Sequence, residues 1–158
     1  MGYLLKIAGC LFLFLTAAHG ADTLEDSSMF REYPVSTFYA GGAAPIDFDN
    51  HPELKRFRTR LNQGIQKGPN FSGKYRVVEW GCGTSCSQVV IVDVETGKIR
   101  ASATACGGSR FQLDSRLLIL DPGLAEGDLY APIGCETKFY LFENDQLQAL
   151  DVSRKVEE

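Results

Sequence analysis

Cys82 and Cys86 stand four positions apart in the stretch Glu79-Trp80-Gly81-Cys82-Gly83-Thr84-Ser85-Cys86. Two thiols so placed can close a disulfide, cycle as a redox pair or hold a metal. A redox dithiol usually has C-x-x-C spacing at a helix N-terminus, which lowers the thiol pKa. Here the spacing is C-x3-C, and both flanks are strand-like: Lys74 to Trp80 (KYRVVEW) before and Ser87 to Val94 (SQVVIVDV) after. Zinc wants more ligands than this pair offers, and beyond the first twenty residues His51 is the only histidine. The contrasts favour a structural disulfide at the tip of a β-hairpin. With Gly83-Thr84-Ser85 as a three-residue loop, positions 82 and 86 face each other. Facing strand residues lie about 4.5–5.5 Å apart at Cα, inside the disulfide range.

A rigid, exposed loop of this kind presents contact groups. The candidate binding residues are Trp80, Gly83, Thr84 and Ser85: an aromatic anchor, backbone amides and two hydroxyls. Trp80 has an ordinary reading as core, since aromatic side chains dominate core burial. No catalytic residue is assigned. A Ser/His/Asp or Cys/His system would have to use His51, which stands beside Pro52 at an expected helix start, where exposure is the simpler account. Asp121, Glu126 and Asp128 bring three acids into a Gly/Pro-containing loop, but without EF-hand spacing. Gly107-Gly108-Ser109 lacks the lysine and following helix of a phosphate loop. The expectation is no metal and no cofactor.

The elements that must position these groups follow from the periodicities. One helix is expected from about His51, with Pro52 in its first turn and Asp49 or Asn50 as cap. Leu54, Phe57, Leu61 and Ile65 fall on one face, and Gly68-Pro69 ends the run. Lys55, Arg56, Arg58 and Arg60 occupy the opposite face. They offer a surface to an anionic glycan or cell-wall polymer, though a basic helix face is more often simply solvated. A short strand is expected at Val35 to Tyr39, before the breaker Ala40-Gly41-Gly42-Ala43-Ala44-Pro45. From Lys74 onward strands alternate with turns: Val89–Val94 and Ile99–Ala105 around Val94-Glu95-Thr96-Gly97-Lys98, Arg110–Leu113 and Arg116–Leu120 around Asp114-Ser115, and Lys138–Glu143 and Gln146–Leu150 around Asn144-Asp145. The fold class is α+β, a mostly antiparallel β-sheet of hairpins with one packed amphipathic helix.

Residues 1–20 have the layout of a secretory signal peptide: Lys6, an apolar run from Ile7 to Ala18, and Ala18-His19-Gly20 before Ala21. The run is too short for a membrane anchor. Ile7-Ala8-Gly9-Cys10 is similar to a lipoprotein box, but most of the apolar run follows Cys10 instead of preceding it. Cleavage leaves 138 of the 158 residues, enough for one core. The domain layout is residues 21–34 as a flexible lead-in, 35–152 as a single disulfide-stabilised domain and 153–158 as a frayed tail. The whole chain carries a net charge of −4, which argues against general nucleic-acid binding. Loss of Cys10 with the leader leaves Cys82, Cys86, Cys106 and Cys135. An even count in an exported chain implies disulfides. Three pairings exist; the hairpin geometry favours Cys82–Cys86, and Cys106–Cys135 then follows by elimination.

The block Gly68-Pro69-Asn70-Phe71-Ser72-Gly73-Lys74-Tyr75, running on to Trp80-Gly81-Cys82-Gly83-Thr84-Ser85-Cys86, resembles a group of exported bacterial proteins with no established activity. Arg58-Thr59-Arg60-Leu61 and Leu113-Asp114-Ser115-Arg116-Leu117-Leu118 fit the same group. The resemblance implies export and a shared fold. More locally, Tyr75-x-Val77 followed by Cys82-x3-Cys86 and an apolar strand is similar to bacterial inhibitors of vertebrate lysozyme, which push a disulfide-closed loop into the enzyme's cleft. Here the loop is one residue shorter and lacks the histidine those inhibitors place there.

These readings combine into one expectation: a periplasmic or secreted binding or inhibitory module that presents the loop Gly81–Ser87 to a protein or envelope polymer. No membrane span is expected after signal cleavage. The alternatives are an envelope thiol-disulfide oxidoreductase using Cys82 and Cys86, and a structural envelope protein without a discrete site.

Overall fold

The computed structural model describes residues 28–124 and 132–151. The expected leader, the start of the lead-in, Glu126, Asp128 and the expected tail lie outside the described residues.

Among the described residues, seven strands form two antiparallel sheets. The first contains β1 (Tyr75–Gly83), β2 (Cys86–Asp93) and β3 (Ile99–Ala105) in the order β1-β2-β3. The second contains β4 (Ser109–Phe111), β5 (Leu117–Leu120), β6 (Lys138–Glu143) and β7 (Gln146–Ala149) in the order β4-β5-β6-β7. A 3-10 segment, Pro52–Phe57, runs directly into the helix α1 (Arg58–Ile65). The class is α+β with the sheets dominant.

The apolar runs decide which strands lie inside. Successive strand residues point to opposite faces, so a strand apolar at every position is covered on both sides. Residues 89–92 of β2 are such a run. Val89 and Ile91 enter a core with Phe71, Tyr75, Val77, Leu118, Leu120 and Phe142, which lies between the two sheets. Val90 and Val92 enter a second core with Leu54, Leu61, Ile65 and Trp80, under α1. β5 repeats the pattern: Leu118 and Leu120 face the first sheet, while Leu117 and Ile119 turn outward to meet Phe30. The result is a stack of helix, sheet, sheet and a short N-terminal turn, with β2 and β5 sandwiched on both faces.

Three local expectations are corrected. Val35 to Tyr39 is not a strand. It is an extended strap tied near its ends, Val35 N–H to Asp114 O (3.0 Å) and Tyr39 N–H to Gly73 O (3.0 Å), after an isolated bridge of Pro34 with Ser115. The strap crosses Gly73 so closely that a Cβ there would lie 2.1 Å from Thr37 O, and Gly73 also has φ +77°; glycine meets both demands. The lead-in is not loose throughout, because residues 28–32 are helical and Phe30 is buried against Leu117 and Ile119. The main helix begins as 3-10, a common form of a helix N-terminus. His51, not Asp49 or Asn50, stands at its cap and makes no side-chain capping bond. The expected stop is present: Gly68 has φ +76° and its N–H donates to Ile65 O at 3.0 Å.

The Gly-Pro-Asn-Phe step links helix to sheet. Phe71 is fully buried among the rings of Phe111 and Phe142. Asn70 lies along the open edge of β1, where its Oδ1 accepts from Val77 N–H (2.7 Å) and its Nδ2 donates to Val77 O (3.2 Å). A side-chain amide thus does the work of a neighbouring strand.

Candidate functional site

The β1–β2 hairpin is in register from Tyr75↔Asp93 to Gly81↔Ser87, then shifts so that Gly83 pairs with Cys86. The turn is therefore the two residues Thr84 and Ser85, and Cys82 is the extra residue of a bulge. This corrects the three-residue loop: Gly83, at φ +147°, enters the ladder instead of the loop. The bulge still brings Cys82 and Cys86 to a Cα separation of 5.1 Å, and the pair forms a disulfide. Gly81 through Ser85 are all exposed. Ser85 has φ +48°, a left-handed conformation that costs a non-glycine residue roughly 1–2 kcal/mol.

Trp80 does not belong to this exposed tip. It is 7 % exposed and lies in the core under α1, with its ring centroid 4.9 Å from that of Phe57. Strand parity is the reason: Trp80 shares the helix-covered face with Val78. It anchors the base of the hairpin from below, and of the predicted contact residues Gly83, Thr84 and Ser85 alone are presented.

The second disulfide supports the same end of the molecule. Ser87 pairs with Ala105, which places Cys106 beside the base of the tip. Cys106 and Cys135 are bonded at a Cα separation of 5.9 Å, as the elimination argument expected. Asp121, 5 % exposed, directs Oδ1 at the backbone N–H groups of Cys106 (2.7 Å) and Gly107. Thr137 Oγ1 lies 2.7 Å from Asp121 O and 2.8 Å from Leu124 O. Ser109 Oγ donates to Glu79 Oε2 at 2.6 Å, joining β4 to β1. Asp121 thus organises a loop through amides, and among the described residues no group of three or more His, Cys, Asp or Glu could hold a metal ion.

The opposite end of β1 is built from charge. Asp93 is fully buried. Its carboxylate meets Lys74 Nζ (3.0 Å) and Arg100 Nη2 (3.3 Å) and accepts from the N–H groups of Glu95 (3.0 Å) and Thr96 (3.2 Å). Burial pushes its pKa up, but the Lys74 ammonium, the Thr96 amide and Arg100 outweigh that and hold it below the usual carboxylate value. Arg100 Nη1 continues to Asp145 Oδ2 (3.1 Å), and Tyr75 O–H donates to Asp145 Oδ1 (2.6 Å). Burial, followed by the Asp145 carboxylate, raises the Tyr75 pKa far above that of a free phenol, so Tyr75 stays a neutral donor. An open groove of about 650 Å³ lies beside this network, lined by the strap at Thr37 and Phe38 and by Lys74, Tyr75, Glu95 and Arg116. Lys74 is paired with Asp93 and Glu95, and Arg116 with Glu143. The charges of this end are spent on one another, which suits a clamp across turns better than a reactive centre.

Sequence reasoning missed this network. The usable signal was Asp93 itself, an acid at the end of the apolar run Val89-Val90-Ile91-Val92, since a buried charge is almost always paired. His51 lies at the helix start with Nδ1 3.2 Å from Glu53 Oε1. Lys55, Arg56, Arg58 and Arg60 are exposed, with the Arg56 guanidinium 4.7 Å from the Phe57 ring centroid. No helix among the described residues is long and apolar enough to cross a membrane. Comparison with known proteins finds no matching family model, curated protein or solved structure.

Proposed function

We propose that this protein is an exported binding or inhibitory module whose contact element is the disulfide-closed tip Gly83-Thr84-Ser85. The observation that carries the reading is the contrast at the hairpin end. Gly81 to Ser85 are exposed without a break, yet the tip is cross-linked at Cys82–Cys86 and seated on the buried Trp80. A loop ordered before it meets its partner loses less entropy on binding. Two disulfides also suit the oxidising compartment that export reaches. The partner is a protein or an envelope polymer with a cleft narrow enough for a two-residue turn. The local likeness to lysozyme inhibitors makes an enzyme cleft the first such partner to try.

A photo-crosslinking side chain at Thr84, with Glu95 at the far end of the hairpin as control, tests this in the cells that export the protein. The expected result is a discrete adduct from position 84 that disappears when Ser85 is replaced by tryptophan, with no loss of melting temperature. Adducts from position 95 alone, or equal adducts from both positions, would remove the tip from the interface.

A further inference from the structure

A second surface feature stands apart from the tip and does not depend on the reading given to it. Arg60, Gln63, Gly64 and Lys67 line a cleft of about 240 Å³ together with Arg76, Val77, Val78 and Glu79 of β1. The first four occur at helical spacings of three and four and form one stripe along α1 and its closing turn. Gly64 sets the depth. A Cβ there would lie 2.6 Å from Val78 Cγ2, so the absence of a side chain lets the helix settle against β1. That brings Arg60 and Lys67 to the same cleft as Arg76.

Three cations and one acid meet in this cleft, on a chain whose overall charge is −4. The acid is already engaged, since Glu79 Oε2 accepts from Ser109 Oγ. Arg60 and Lys67 enter no ion pair among the described residues, unlike Lys74, Arg100 and Arg116. Arg76 Nη1 donates to Gly68 O at 3.1 Å, while its Nε is buried without a hydrogen-bond partner among the described residues. Burial works against the guanidinium's charge and lowers its pKa. A nearby anion would offset that.

We propose that the cleft between α1 and β1 binds a phosphoryl group, held by Arg60, Lys67 and Arg76 with Gln63 as a neutral donor. A cleft below the roughly 300–1,000 Å³ of whole-ligand pockets takes a group, not a whole molecule. Cationic donors arriving from two elements suit a tetrahedral anion with several oxygens; a carboxylate is satisfied by the fork of one arginine. The phosphoryl group belongs either to a small phosphate or to a phosphodiester of an envelope polymer.

Amide and arginine Nε–H NMR titrations of the oxidised protein at constant ionic strength distinguish these. The probes are inorganic phosphate, a soluble glycerol-phosphate polymer and, as comparator, acetate. Saturable shifts confined to Arg60, Gln63, Lys67 and Arg76 are expected with phosphate. A tenfold or greater loss of affinity is expected in Arg60→Ala/Lys67→Ala, whose exposed positions leave the fold intact. Tighter binding of the polymer at the same residues would identify the diester as the source; equal or weaker binding would identify the small ion. Equal shifts with acetate, shifts spread to Lys55 and Arg58, or unchanged affinity in the double variant would overturn the site.

Discussion

Replacing Cys82 and Cys86 with serine removes a cross-link that spans a sequence separation of only 4, whereas Cys106–Cys135 spans 29. In the chain-entropy description a disulfide stabilises by restricting the unfolded chain, with a logarithmic dependence on loop length. The two separations correspond to about 2 kcal/mol for the tip and about 3.5 kcal/mol for the long loop. Breaking the long link also releases Cys106, whose amide is held by the Asp121 carboxylate, so its measured loss should reach or exceed that figure. Urea unfolding of Cys82→Ser/Cys86→Ser and Cys106→Ser/Cys135→Ser, each compared with the parent, reads both numbers. The tip variant should lose about 2 kcal/mol globally. Hydrogen exchange at the ladder amides of Gly83 and Cys86 should nevertheless accelerate far more than that global loss explains, because without the cross-link the turn they flank, with Ser85 at φ +48°, opens locally. A tip variant that destabilises as much as the long-loop variant, or one whose tip amides exchange no faster than global unfolding predicts, would refute the view that this disulfide chiefly orders the tip.

Two further outcomes follow from contacts elsewhere. Gly64→Ala gains about 1 kcal/mol of helix propensity. It also places a methyl against the stiff Val78 side chain, 2.6 Å and 3.0 Å from its two methyl carbons, and overpacking of this kind costs about 1–3 kcal/mol. A net loss in urea unfolding is expected, and Gly64→Ala/Val78→Ala should recover the helix gain relative to Val78→Ala alone. Tyr75 has a raised pKa in the folded protein. Its contribution is therefore complete below the unfolded phenol value near pH 10 and declines as pH rises above it. Tyr75→Phe should lose about 0.5–1.5 kcal/mol at pH 7, and its stability should fall less steeply than the parent's above pH ~10, read by denaturation at successive pH values.

Strands were legible where local pattern and long-range packing agree. Ile99–Ala105 and Lys138–Glu143 have the bounds their alternation and turns predict, and Asn144-Asp145 adopts the paired positive φ angles, +49° and +63°, of a tight hairpin turn. What failed depends on partners distant in sequence. Met29 and Phe30 carry too little periodicity to announce a helical turn, and Phe30 is buried against Leu117 and Ile119, which β5 leaves facing outward. The strap at residues 35–39 has strand-like composition, but its ends bond to Asp114 and Gly73. At the tip, the cysteine spacing identified the disulfide, yet it did not reveal the bulge at Cys82, because a three-residue loop and a two-residue turn with a bulge bring the same two positions together. Trp80 was decided by parity alone: with Val78 it faces the helix, whatever its distance from the turn.

The arrangement along β1 leaves the tip as its open end. As an edge strand β1 is exposed to unwanted pairing, and it is protected in stages. Asn70 covers Val77 through both backbone groups. Arg76 and Glu79 place charges along the next stretch, beside the basic stripe of α1. The bulge at Cys82 then ends regular pairing just before the turn. From Tyr75 to Gly83, a span of about 26 Å at strand rise, the edge passes from a buried charge network to a neutral Gly-Thr-Ser tip. Only the last part is at once uncharged, exposed and covalently ordered. The cross-link there contributes about 2 kcal/mol globally, and it falls on a stretch of the edge that is open and uncharged, as the proposed contact role requires.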